Sequence, residues 1–121
     1  MCIDQKNWRF FAYRKHESPP SFRSKATAEI DRLTLNSISR YYPQFRPEDL
    51  ERLVVASGVY VQSPKPHKML KIHEFDEVIG ACDGEPSKWL KVEVTSGEFH
   101  GRPITHAQYE RFLSRQVPCC G

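Results

Sequence analysis

The stretch Lys88-Trp89-Leu90-Lys91-Val92-Glu93-Val94-Thr95 constrains this chain more than any other. Its alternation is strict: Leu90, Val92 and Val94 fall on one side of an extended backbone, and Trp89, Lys91, Glu93 and Thr95 on the other. Such a run predicts a β-strand with one face against a core. The opposite face is charged and expected to be wet, yet it carries a tryptophan, a side chain enriched where proteins meet partners. Tyr60 alternates out of Val59-Tyr60-Val61-Gln62 in the same way, which predicts that Tyr60 and Trp89 project to matching sides.

At 121 residues the chain is long enough for one domain that buries roughly two thirds of its unfolded surface, with no need of a metal or a disulfide. Apolar residues at 39% and charged residues at 27% describe a globular chain. A net charge of +3 allows a nucleic acid or an acidic protein as partner and demands neither. Met1 to Arg9 carries charges where a signal peptide needs its apolar run, and no stretch approaches membrane-spanning length. A cytoplasmic location without a membrane partner is therefore expected. Cys2, Cys82, Cys119 and Cys120 form no Cys-x-x-Cys pair and are expected to be reduced thiols.

Taken in order, the sequence predicts an α+β fold: an N-terminal basic strand or arm, two short helices, a small antiparallel curled sheet or barrel, and a C-terminal helix. Residues 1–23 are the arm, 24–57 the helices, 58–104 the sheet, 105–116 the closing helix and 117–121 a frayed tail. Within residues 1–25, six cations face Asp4 and Glu17, a net of +4, and aromatics are interleaved among them. Trp8, Arg9, Tyr13, Arg14 and Lys15 would suit single-stranded nucleic acid, by phosphate neutralisation and base stacking. The same residues also fit an ordinary strand, Trp8 to Arg14, with its aromatics on the core and its arginines solvated.

The first helix is expected from Lys25 to Tyr42, capped by Ser24 and stopped by Pro43. A second is announced by Pro47 at its first position, Glu48 and Asp49 at the positive end of its dipole, and Gly58 as a stop. Phe45 and Leu50 stand at the spacing of a hydrophobic staple, and Leu50, Leu53 and Val54 are expected to be its buried stripe. Two helices flanking Pro43 to Arg46 invite comparison with a DNA-reading helix-turn-helix, but Glu48, Asp49 and Glu51 would repel phosphate. Strands are expected at Val59 to Gln62, Lys68 to Ile72 and Asp76 to Cys82, with Asp83 to Ser87 as a loop and Gly97 and Gly101 as turn formers. Thr105 and Gln108 make a capping box, after which Tyr109, Phe112 and Leu113 stripe the closing helix.

Val59 and Val61, then Trp89 and Val92, Gly101, Ile104 and Tyr109 follow one another in an order that resembles the bacterial Src-homology-three type of small β-barrel. The resemblance spans residues 58–112. Gly97 and Gly101 stand one residue further apart than the usual hairpin of that family, and Tyr109 opens a helix rather than a tight turn. The resemblance implies a groove for an extended peptide, lined by exposed aromatics. Tyr60, Trp89 and Lys91 would line it, and Pro103 and Tyr109 would complete the shelf. Trp89 also fits a core position beneath the first helix or the arm.

Catalytic motifs are missing: there is no phosphate-cradling glycine loop, no His-Glu-x-x-His and no Gly-x-Ser-x-Gly. No cofactor or metal is expected. His73 and His100 are the imidazoles that would have to converge on Cys82 to make a thiol site. The expected function is a non-enzymatic module that binds another protein, through an extended peptide or an acidic surface. The alternatives are a nucleic-acid-binding accessory protein and a small enzyme with a Cys/His site.

Overall fold

In the computed structural model, which describes residues 9–10 and 39–116, the alternating stretch becomes the middle strand of a five-stranded sheet. The elements are β1 (Arg9–Phe10), β2 (Arg40–Tyr41), α1 (Pro47–Ser57), β3 (Val59–Val61), β4 (Met69–Glu74), β5 (Gly80–Cys82), β6 (Glu85–Ser87), β7 (Trp89–Thr95), β8 (Glu98–Ile104) and α2 (His106–Leu113). The larger sheet runs β1-β8-β7-β4-β3 and the smaller β2-β5-β6. Among the described residues all ladders are antiparallel except β1 against β8. This is an α+β fold, and its described strands do not close into a barrel. None of its described helices is long and apolar enough to cross a membrane.

Two tight turns set the hairpins. Ser96 and Gly97 join β7 to β8 with φ of 53° and 76°, and Asp83 and Gly84 join β5 to β6 with the same pair of angles. Positive φ at both central residues is the two-residue hairpin geometry that matches strand twist. The expected loop at Asp83 to Ser87 is thus a hairpin whose second arm is β6. Gly101 is no turn former either: it lies in mid-strand, where an added Cβ would stand 2.5 Å from the Lys91 carbonyl and 3.3 Å from the Glu51 carboxyl carbon.

Helix α1 begins and ends where Pro47 and Gly58 place it, and the Gly58 N–H donates to the Val54 carbonyl at 2.7 Å. Phe45 and Leu50 both rest against the main core. Its buried stripe differs from the expected one: Leu53 is 43% exposed, while Glu51, Val54 and Val55 are buried. The Tyr41 hydroxyl donates to Glu51 Oε2 at 2.5 Å, so a carboxylate is tolerated where an apolar residue was expected. The first helix does not reach Tyr42, because Arg40 and Tyr41 pair antiparallel with Ala81 and Gly80. Pro43 also biases the residue before it away from helical backbone. The remainder of that expected helix, residues 11–15 of the basic segment and the tail after 116 lie outside the described residues. Helix α2 has its capping box, with Thr105 accepting from the Gln108 N–H and the Gln108 side chain accepting from the Thr105 N–H.

The register divides the larger sheet into two faces. Leu90, Val92, Val94 and Phe99 point to the α1 side and form the main core with Tyr41, Val54, Val55 and Ile79. On the α2 side, Val61, Leu70 and Ile72 pack beneath Tyr109, Phe112 and Leu113. Tyr60 lies opposite Lys71, and Lys71 opposite Val92, so Tyr60 belongs to the α1 face. Trp89 lies opposite Glu74 and Ile104 and belongs to the other. The expectation that Tyr60 and Trp89 share a side is corrected, because side-chain facing follows ladder register across β4, which neither strand encodes alone. Pro103 pairs with Leu90 and is fully buried, so it forms no part of an exposed shelf.

Candidate functional site

The site begins at the passage of the chain from the smaller sheet into β7. Ser87 is buried there; its hydroxyl donates to the Ile104 carbonyl at 2.5 Å and accepts from the Trp89 N–H at 3.2 Å. This clamp fixes where β7 starts and hence where Trp89 emerges. The indole is half-buried, its centroid 4.8 Å from the His106 ring and 6.4 Å from the Tyr109 ring. His106 Nε2 is in turn 3.0 Å from Glu110 Oε1, one turn on. Helix α2 therefore lays its first two turns along the indole, which is neither a bare shelf nor deep core. Trp89 Nε1 is buried without a hydrogen-bond partner among the described residues.

Further along β7 the α2 face turns charged. Glu93 receives Lys68 Nζ on Oε1 at 3.0 Å and His100 Nε2 on Oε2 at 3.1 Å. Burial pushes the Glu93 carboxyl up, but the Lys68 hydrogen bond and the nearby Lys68, Lys91 and His100 charges outweigh it and hold it below its ordinary value. His100 is shifted down by burial and by Lys91 and Lys68, against the opposing pull of Glu93.

Lys91 has no such partner. Across the ladder it faces Ile72 on one side and Arg102, a like charge, on the other. Directly opposed like charges destabilise a sheet. Its Nζ stands 5.7 Å from the centroid of the Phe112 ring, and among the described residues it makes no ion pair. Burial, reinforced by Arg102 and Lys68 and only partly opposed by Glu93, lowers its pKa from 10.5 to about 8. Lys91 opens into a groove of about 280 Å³, whose lining includes Lys65, Lys68, Glu93, Phe112 and Arg115. Four cations thus share the groove with one carboxylate, and that carboxylate has both oxygens engaged already. An anion from outside would meet a positive charge only partly offset by Glu93, beside the Phe112 ring.

Of the expected partner-binding residues, the fold gathers Trp89, Lys91 and Tyr109 on the α2 side and sends Tyr60 and Pro103 to the other. Lys65, Lys68, Arg102, Phe112 and Arg115 were not expected as site residues from the sequence. They come from a loop, a hairpin partner and a helix end, and the alternation of β7 shows none of them. Of the basic N-terminal set, Arg9 is exposed and reaches Glu98 at 4.0 Å, whereas Trp8, Tyr13, Arg14 and Lys15 lie outside the described residues. The proposed convergence on Cys82 does not occur. Its thiol contacts Gln108 Oε1 at 3.9 Å, His73 stacks edge-on with Phe75, and His100 is held by Glu93. Burial and the Asp83 and Glu85 charges push that thiol up to about 11, opposed in part by Arg102 and the Thr105 backbone, which leaves little thiolate at neutral pH.

Among the described residues no three His, Cys, Asp or Glu side chains are grouped to hold a metal ion. Compared with protein-family models, with curated proteins and with solved structures, the chain matches none.

Proposed function

We propose that the protein is a non-enzymatic module that binds another protein, and that the partner presents an acidic, extended segment to the groove on the α2 side. The observation that carries this is Lys91: a half-buried ammonium in a groove of cations, beside Arg102, with no ion-pair partner among the described residues. A sheet that opposes two like charges, only partly offset by Glu93 among the described residues, breaks a local rule of stability, and such breaches concentrate at functional sites. Phe112 gives an aliphatic or aromatic anchor somewhere to lie, while Lys65 and Arg115 supply a charged rim. Glu93, which lines the groove, disfavours a continuous phosphate backbone more than it does a side-chain carboxylate placed over Lys91.

Titrating the full chain with a fluorescent Glu-rich peptide tests this directly. Binding is expected to weaken with salt, and Lys91→Met to weaken it about tenfold, or roughly 1.4 kcal/mol. Equal affinity of the Lys91→Met variant, or tighter binding of single-stranded nucleic acid than of the peptide, would remove the proposal.

A further inference from the structure

We infer that Lys91 is a nucleophilic amine, and that the groove takes small anionic carbonyl compounds, such as 2-oxo acids and carboxylated aldehydes, as imines on its Nζ. The inference rests on the same cationic groove as the proposed function but not on any macromolecular partner. Three observations point the same way. The amine opens into a groove large enough for a small organic acid. Arg115 lines the same groove and Arg102 lies directly across the ladder, cations able to hold a carboxylate while the carbonyl carbon meets the nitrogen; Lys68, also in the lining, is paired with Glu93. One side of the amine faces the Phe112 ring, and among the described residues no carboxylate pairs with it. A lysine held beside other cations over an apolar surface is the arrangement in which an amine becomes reactive at neutral pH.

The chemistry closes without a redox partner. The neutral amine attacks the carbonyl carbon, a C–N bond forms, and the carbonyl π pair becomes an alkoxide that takes a proton. With that proton taken from the nitrogen, the carbinolamine's hydroxyl takes a proton from solvent and leaves as water, while the nitrogen returns its remaining proton to solvent. One amine and one carbonyl give one imine and one water. A pKa of about 8 against 10.5 gives about 300-fold more neutral amine at pH 7 than an ordinary lysine has. A less basic amine is also a weaker nucleophile; a Brønsted slope of about 0.5, borrowed from thiols, leaves a net advantage of roughly tenfold.

The full chain is incubated with glyoxylate and cyanoborohydride, which traps the imine as a carboxymethyl amine, and the modified lysines are mapped by mass spectrometry. Lys91 is expected to be modified about tenfold faster than the exposed Lys65, and acetaldehyde, which lacks the carboxylate, to show a smaller preference. Lys91→Arg, which keeps the cation, is expected to retain its thermal melt and to lose the fast phase of labelling. Labelling that follows exposure, with Lys65 ahead of Lys91, or a fast phase that survives Lys91→Arg, overturns the inference. The Glu-rich peptide titration is read separately. Peptide binding without Lys91-selective trapping sinks the imine alone, while selective trapping without peptide binding supports it and sinks the protein partner.

Discussion

Lys71 and Lys91 occupy adjacent positions in neighbouring strands and leave the sheet through opposite faces. Lys71 lies opposite Val92, and Lys91 opposite Ile72. Both are shifted below the ordinary lysine range by burial. Their fates differ. Lys71 is 4% exposed and donates Nζ to the Val55 carbonyl at 2.7 Å, in the last turn of α1. That helix has no basic residue of its own in its last turn, so a lysine from the sheet supplies both the hydrogen bond and the positive charge that its C-terminal dipole favours. Lys91 ends over a ring, beside a like charge. One ammonium is thus bonded by the fold, while the other, half-buried, has only the Phe112 ring and no ion pair among the described residues.

The faces that hold these lysines differ in the same sense. Leu90 is fully buried on the α1 side, between β4 and β8 and among core residues of α1 and β5. Phe112 is half-buried on the α2 side, where it covers Val61, Leu70 and Ile72 and leaves the groove open beside it. Leu90→Ala is expected to cost about 2 to 5 kcal/mol in denaturant melts. Phe112→Ala is expected to cost roughly 1 to 2 kcal/mol, while also weakening capture of the acidic peptide. Equal costs would show that the two faces are equally closed and that the groove is part of the core.

Lys71→Met stands between these two in size. The substitution keeps the length of the side chain but leaves the Val55 carbonyl without its donor, for an expected loss of about 1 to 3 kcal/mol. Peptide affinity should be untouched, since Lys71 faces α1 and not the groove. A stability unchanged or raised by Lys71→Met would mean that desolvation of the ammonium outweighs its bond, and the contrast between the two lysines would fail.

What the sequence showed of this arrangement follows the range of the interactions involved. Pro47, the acidic first turn and Gly58 delimit α1 through backbone effects a few residues long, and Thr105 with Gln108 caps α2 in the same way. The alternation of β7 held for the same reason, each residue reporting its own side. The face taken by Tyr60 was not legible, because it depends on how the segment from Gln62 to Lys68 sets the register of β3 against β4. Glu51 was unexpected inside because its partner, Tyr41, comes from another element ten residues away. The groove was least legible of all. Lys68 reaches Glu93 from before β4, and Arg115 is drawn in by the bond from the Gln62 N–H to its carbonyl at 2.8 Å. Only Lys91 could be named in advance.

Lys91→Met is the substitution that separates the two lysines most cleanly, because its effect on stability is expected to carry the opposite sign. In the folded chain the Lys91 ammonium is desolvated and faces Arg102, so its pKa of about 8 lies below the ordinary 10.5. Below pH 8 the folded and unfolded chains both carry that proton, and the folded state bears the full cost of holding it. Between about 8 and 10.5 the unfolded chain binds more protons at this site than the folded one, so stability rises with pH and the cost is relieved. Methionine fills similar space without charge. It is therefore expected to stabilise the protein by about 1 to 2 kcal/mol at neutral pH, less than the whole shift implies, since the side chain is only half-buried. That gain should shrink towards zero as pH passes from 8 to 10.5. Cys82 and Tyr109, both shifted up, and Lys71, shifted down, also titrate in alkali, and taking the difference between the two proteins at each pH removes their common contribution. Urea melts of both proteins across that range decide the matter. A destabilised Lys91→Met variant, or a gain that does not change with pH, would show that Lys91 has an internal partner and that its charge is not waiting for an anion.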